Sequence, residues 1–267
     1  MLDLDATIAA LTARPERTAL LVDFDGSLAP IVERAEAARP LPDAVAQLSR
    51  LAARLGRVGV VSGRPAEFLA AHLPVPGATF VGLYGMEHLV DGTRTVDPRV
   101  TPYLTAVAAA VADARTRLPD DLVEPKSGVS VTLHWRPAPE RADEVLAVAD
   151  EVARRRGLAP LRTRMAVELR PPVAIDKGDA TRALVDGFAV GAFAGDDTGD
   201  LPAFAALTDA VAEGVLEAAV RIGVHSPEAP PELDGAVDVL VDGPAGLVAL
   251  LARVADEIGE PQGGSPS

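Results

Sequence analysis

The chain has 267 residues, 48% hydrophobic and 24% charged, enough to bury a sizeable core as one large domain or as a core with an insert. Its formal net charge of −14 argues against nucleic acid or an anionic membrane as a partner, and the absence of cysteine removes disulfides and thiolate metal sites. The N-terminus, Met-Leu-Asp-Leu-Asp, is acidic where a secretory signal is basic, and no apolar run reaches the length of a membrane span, so a cytoplasmic location is expected. His72, His88, His134 and His225 lie far apart and form no H-E-x-x-H pair, which disfavours a histidine-based zinc site.

Residues 3 to 13 read as a short amphipathic helix. It leads into Ala19-Leu20-Leu21-Val22, an apolar run that ends abruptly in Asp23-Phe24-Asp25-Gly26-Ser27. Such a run reads as a buried parallel strand whose carboxyl end opens into a loop, the edge at which open α/β sheets bind ligands. Asp23 and Asp25, two apart on an extended chain, project to one side and repel each other unless a cation or a shared proton relieves them. Gly26 lets backbone amides approach a ligand oxygen. A plain turn built from Asp and Gly is the simplest alternative. A calcium loop is a second one, but the twelfth position counted from Asp23 is Arg34, where a bidentate Glu is required.

Val45, Leu48, Leu51 and Leu55 mark a helix over residues 43 to 55, stopped by Gly56, and residues 57 to 61 form the next strand. This strand, helix, strand order predicts a parallel sheet with right-handed crossovers. Ser62-Gly63-Arg64-Pro65 follows; Pro65 suits the first turn of a helix running to His72, and Ser62 is either a loop hydroxyl or a donor to a phosphoryl oxygen. A third strand over residues 79 to 83 precedes Tyr84-Gly85-Met86-Glu87-His88 and a hairpin signal at Asp91-Gly92.

The pattern changes near Pro98. A long Ala/Val helix over residues 100 to 118 precedes a strand in which Val129, Val131, Leu133 and Trp135 share a buried face, with Ser130, Thr132, His134 and Arg136 on the other. A helix over residues 140 to 156, a strand over 165 to 169 and Pro171-Pro172 complete an α+β unit, so residues 98 to 172 are expected to form an insert in a core made of 1 to 97 and 173 to 267. Lys177 then stands at the start of a helix over 178 to 188. A cation there opposes the helix dipole, which points either to neutralisation by Asp176 and Asp179 or to a functional partner. The strand over residues 190 to 194 ends in Gly195-Asp196-Asp197-Thr198-Gly199-Asp200. Three carboxylates in five residues suit a divalent cation with oxygen ligands, a solvated acidic loop being the alternative. Short strands are expected at 210 to 212 and 237 to 241, an apolar stretch at 220 to 224 and a final helix over 244 to 258. Residues 259 to 267 are expected to be a disordered tail.

Four segments in order resemble the motifs of the haloacid dehalogenase-like phosphohydrolases: Asp23-Phe24-Asp25-Gly26-Ser27, Val60-Val61-Ser62-Gly63-Arg64, Lys177-Gly178, and Gly195-Asp196-Asp197 with Asp200. The resemblance implies a Rossmann-like doubly wound α/β core with an inserted α+β cap. Leu83-Tyr84-Gly85-Met86-Glu87 is similar to a segment typical of trehalose-6-phosphate phosphatases. Within Val123-Glu124-Pro125-Lys126 and Glu168-Leu169-Arg170-Pro171, the residues Glu124, Lys126, Glu168 and Arg170 resemble the cap residues with which that family grips its disaccharide; His134 and Arg136 are further candidates. The family commonly reads Gly-Asp-Asp-x-Thr-Asp-Glu at the fourth motif, and here Gly199 and Leu201 replace the Thr and the final Glu.

What the resemblance implies is a magnesium-dependent phosphatase acting on a small sugar phosphate, trehalose 6-phosphate first. Asp23 is the nucleophile and Asp25 the acid and base. Ser62 and Lys177 stabilise the transferring phosphoryl group, and Gly26, Gly63 and Arg64 surround it. The magnesium ligands come from Asp23, Asp25, Asp196, Asp197 and Asp200. Other sugar phosphates, a phosphomutase and a non-catalytic sugar-phosphate sensor are the rivals. The sequence leaves the oligomeric state open, with a monomer plausible.

Overall fold

The structure, a computed structural model, describes residues 3–32, 37–163, 165–226 and 229–259. The tail expected at 259 to 267 therefore lies, beyond Gly259, outside the described residues. Two units divide the chain: Met1–Arg94 with Ile175–Ser267, and Thr95–Ala174.

The first unit is built on short apolar segments that form parallel strands: β1 (Thr18–Val22), β2 (Arg57–Val61), β3 (Thr79–Gly82), β10 (Val190–Gly195), β11 (Ala218–His225) and β12 (Val239–Asp242). An antiparallel hairpin, β4 (Glu87–Val90) and β5 (Thr93–Val96), extends one edge. Its turn places Asp91 and Gly92 at φ +48° and +75°, the double left-handed geometry that Asp-Gly favours. The order β12-β11-β10-β1-β2-β3-β4-β5 puts β1 where the winding reverses, since β2 lies on one side of it and β10 on the other. Val22 pairs with both Val60 and Ala194, so the register alone brings the residues after β1, β2 and β10 to one edge. That reversal point is where such sheets form a crevice.

Alternation along β1 decides which side each residue faces. Leu20 and Val22 join a core with the helices α1 (Leu4–Thr12), α2 (Ala44–Ala52), α3 (Ala66–His72) and α9 (Gly243–Ile258). Ala19 and Leu21 join the opposite core with α6 (Lys177–Val185) and α7 (Leu201–Ala212). Asp23 continues the second set, which aims it at the start of α6.

The expectation of a strand at Ala210–Ala212 is corrected: these residues end α7. Pro202 in its first turn and Phe204, Leu207 and Ala210 on its buried side are the helical signal that the acidic loop before it obscures. A four-residue helix, α8 (Leu233–Ala236), precedes β12.

In the second unit a sheet of order β6-β7-β9-β8 packs one face on α4 (Leu104–Arg115) and α5 (Ala142–Arg156). Its strands are β6 (Val123–Lys126), β7 (Ser130–His134), β8 (Ala159–Thr163) and β9 (Ala166–Arg170). The edge strands β6 and β8 each contain a proline, Pro125 and Pro160, which a central strand does not tolerate. Among the described residues, no helix is long and apolar enough to cross a membrane.

Candidate active site

β1 ends at Val22, and the chain then turns tightly: Leu28 and Ala29 both donate their backbone N–H to Phe24 O, at 2.9 Å each. Gly26 sits at φ +80°, and a Cβ there would fall 2.0 Å from Asp196 Oδ2, so only glycine leaves that carboxylate its place. Because the extended backbone stops at Val22, the two carboxylates of Asp23 and Asp25 take different partners.

Asp23 is 3% exposed and its Oδ1 lies 2.8 Å from Lys177 Nζ. Lys177 is also 3% exposed and donates to Asp200 Oδ1 at 2.7 Å. It occupies the first turn of α6, where the dipole opposes a cation. Asp176 and Asp179 offset this through a capping box: Asp176 Oδ1 accepts from Gly178 N at 2.8 Å and Asp179 N at 3.1 Å. The acidic neighbours thus neutralise the helix start while the ammonium reaches Asp23 and Asp200.

Asp200 is fully buried and completely engaged. Its Oδ1 meets Lys177, and its Oδ2 accepts from the backbone N–H of Asp196 at 2.9 Å and of Asp197 at 3.1 Å. It shapes the acidic loop and anchors the lysine. Asp196, 3% exposed, accepts a bond from Ser27 Oγ at 3.2 Å. Asp197 is exposed and its carboxylate accepts from Gly199 N at 2.8 Å, closing the turn.

Asp23, Asp196 and Asp200 each offer an oxygen within 4.8 Å of the others. With one ammonium among three carboxylates, the buried group carries two net negative charges when fully ionised. Asp23 Oδ1, although beside Lys177, is a buried oxygen that accepts no well-formed hydrogen bond. A small divalent cation fits both observations, balancing the charge and supplying the missing partner. Without one, burial pushes the Asp23 carboxyl well above its ordinary value, with Asp200 and Asp196 adding to the effect against Lys177. Burial also lifts Asp196 to about 7, helped by the charges of Asp200 and Asp197. For Lys177 burial acts downward, but Asp200 and Asp23 outweigh it and hold the ammonium above the ordinary lysine range.

Asp25 forms a two-pronged pair with Arg64: Nε to Oδ2 and Nη2 to Oδ1, each at 2.6 Å. The guanidinium lies 4.9 Å from the Phe68 ring centroid, and Phe68 meets Phe24 edge-on at 5.8 Å and stacks on His72 at 4.1 Å. Ser62 is buried at the end of β2, its Oγ accepting from Arg64 N at 3.3 Å. Gly63 packs against Tyr84, whose ring carbon would lie 2.6 Å from an added Cβ.

The second unit has its own polar face. Pairing sets Glu124 opposite Thr132 and Thr132 opposite Glu168, while Lys126 pairs with Ser130, so these residues share the side away from α4 and α5 with His134 and Arg170. Glu124 Oε2 and His134 Nε2 lie 2.6 Å apart, and Ser130 Oγ donates to the buried Glu168. Arg136 lies beyond the end of β7. The sequence does not show the bond between Ser130 and Glu168, nor the partners of Glu87. The alternation of β7 marked Ser130 and Thr132 as polar-face residues, whereas Glu87 gave no local signal of what it holds.

A parallel sheet with acidic loops after β1 and β10, and a lysine at the start of α6, the helix that leads into β10, has a haloacid dehalogenase-like fold. A haloacid dehalogenase-like hydrolase from Bacteroides thetaiotaomicron shares the fold at TM-score 0.59 and 16% identity, over 89% of this chain and 99% of that one. A solved trehalose-6-phosphate phosphatase related protein does so at TM-score 0.70 and 22% identity, over 90% and 97%. The trehalose-phosphatase family model matches residues 21–229, and the chain belongs to that family. A trehalose-phosphate phosphatase of Mycobacterium avium (strain 104) is 31% identical over 259 residues, covering 92% of this chain; the chain spans 64% of that relative's length.

Proposed function

We propose that this chain hydrolyses trehalose 6-phosphate to trehalose and phosphate. The observation that carries the reading is the buried constellation of Asp23, Lys177, Asp196 and Asp200 at the strand ends of a chain in the trehalose-phosphatase family.

In the first step an Asp23 oxygen bonds to phosphorus as the bond to the sugar oxygen breaks, and Asp25 gives its proton to that leaving oxygen. In the second step a water oxygen attacks phosphorus, its proton passes to Asp25, and the bond to Asp23 breaks, releasing phosphate. Lys177 and Ser62 supply positive charge and a hydroxyl donor to the phosphoryl oxygens, with Gly26 and Gly63 keeping the backbone close. A magnesium ion held by Asp23, Asp196 and the Asp25 carbonyl would screen the anionic nucleophile from the anionic substrate. Asp200 then serves through Lys177 and the loop amides, and Asp197 through the turn it closes. Sugar hydroxyls are read by the polar face of the second sheet, with Glu124, Lys126, His134, Glu168, Arg170 and Arg136. The working location is cytoplasmic and the partner is the small substrate.

The test is phosphate release, with and without magnesium, from trehalose 6-phosphate beside sucrose, glucose and glucosylglycerate phosphates. Trehalose 6-phosphate should win by at least about 100-fold in kcat/KM, a margin set by hydroxyl recognition. Preference for another sugar phosphate would overturn the substrate, and no turnover of any would overturn the enzyme.

Cation binding also has a pH signature. A carboxyl raised to about 7 stabilises the fold fully below its ordinary value and loses that contribution as pH rises through 7. The metal-free protein therefore weakens as pH rises from about 4 to about 7. Magnesium competes with the same proton, so it should raise the melting temperature more at about pH 8 than at about pH 5.5, and an Asp196→Asn variant should lose the difference. A magnesium shift of equal size at both pH values would contradict a cation site at Asp196.

A further inference from the structure

Glu87 is fully buried in the first unit, far in sequence from every motif that carries charge chemistry, and none of the steps above uses it. A buried carboxylate is costly unless its oxygens are engaged, and both are. Oε1 accepts from the backbone N–H of Ala66 at 2.7 Å, capping the start of α3 in place of Pro65, whose side chain has no acceptor to offer. Oε2 accepts from Arg94 Nε at 2.8 Å, with Nη2 of the same guanidinium at 2.6 Å.

The segment that leads to Glu87 grips the loop ahead of α3 at three further points. Ser62 N donates to Val81 O at 3.0 Å, Tyr84 N to Ser62 O at 3.0 Å, and Leu83 N to Arg64 O at 3.0 Å. Leu83 and Tyr84 reach those carbonyls by adopting φ +51° and +62°, a conformation that is costly for non-glycine side chains. A Cβ on Gly82 would fall 2.4 Å from Ala66 N, so the two segments are in backbone contact. What this grip fixes is Arg64, and Arg64 holds both oxygens of Asp25.

We propose that the buried Glu87–Arg94 pair is a positioning device for the acid and base Asp25, acting through the Ser62–Ala66 loop and Arg64. Glu87 touches no reacting atom; it fixes where the guanidinium stands, and the guanidinium, keeping one Asp25 oxygen while the other takes up the proton, fixes the direction from which that proton is delivered. The proposal rests on the phosphatase reading above and deepens it. A sugar alkoxide needs a proton as the P–O bond breaks, whereas p-nitrophenolate leaves without one, so a misplaced Asp25 penalises only the sugar substrate.

Glu87→Gln keeps an acceptor for Ala66 N–H and loses the charge pairing with Arg94; Arg94→Lys keeps the charge and loses the paired N–H contacts to Glu87. Each variant should lower kcat/KM for trehalose 6-phosphate about tenfold or more while changing kcat/KM for p-nitrophenyl phosphate less than about twofold. Because Arg94→Lys keeps a cation beside the buried Glu87, it keeps the test decisive where Glu87→Gln lowers folding yield. Equal proportional losses on both substrates, or a gain on the sugar phosphate, would overturn the positioning role while leaving the phosphatase reading in place. Wild-type protein releasing phosphate from neither substrate would instead overturn the phosphatase reading and this proposal with it.

Discussion

Asp23→Asn is expected to abolish phosphate release, lowering kcat on the order of 10⁴-fold or more, while leaving the fold and its melting temperature essentially unchanged. The amide has the shape of the carboxyl but no nucleophilic oxygen, so the loss falls on the chemical step. The fold tolerates it for a separate reason. Burial already drives the Asp23 carboxyl well above its ordinary value, so the ionised form is a burden on the folded state. Lys177 still has Asp200 at 2.7 Å, which leaves no buried ammonium unpaired. Assay of metal-loaded variant alongside a thermal scan checks both halves. Substantial magnesium-dependent turnover by Asp23→Asn would remove the aspartate from the nucleophile's role, and a collapsed melting transition would show that its weight is structural.

Lys177→Met should do the opposite to stability. The methionine fills similar space, but three buried carboxylates lose their ammonium, and breaking such a pairing costs about 3–5 kcal/mol, or roughly 10 °C in melting temperature for a chain of this size. Activity should fall about 10³-fold, because the same ammonium offsets charge on the nucleophile and on the phosphoryl oxygens. The stability loss has a direction in pH. Asp196 is raised to about 7, so near pH 5.5 its carboxyl holds a proton and the missing ammonium matters less than near pH 8. Scans of both proteins in chelator at the two pH values measure this; a deficit independent of pH would separate the lysine from the carboxylates.

The contrast between these two variants shows what sequence alone makes legible. The core strands announce themselves as apolar runs, and the parity of β1 alone directs Asp23 toward α6. Which carboxylate does what lies beyond sequence. Three aspartates in five residues look alike, yet Asp200 turns inward to Lys177 and two amides while Asp197 faces solvent, because the tight turn after β10 fixes their directions. Likewise Asp23 and Asp25 share a spacing but not a partner, since the extended backbone ends at Val22. Ala210–Ala212 alone is compatible with strand or helix by composition, and only the longer pattern from Pro202 through Phe204 and Leu207 decides for α7. The edge strands β6 and β8 hide because a proline interrupts each pattern. Glu87 is the clearest case: its partners are an amide 21 positions earlier and an arginine seven later, a relation that no periodicity encodes.

The measurement that bears most directly on the account is identification of the residue that carries the phosphoryl group during turnover. Quenching in acid, reducing the acyl phosphate with borohydride and mapping the modified peptide by mass spectrometry reads it out. Modification at Asp23 alone, absent without magnesium and absent in Asp23→Asn, is the predicted result. Modification at another residue, or none in an enzyme that is turning over, would contradict it.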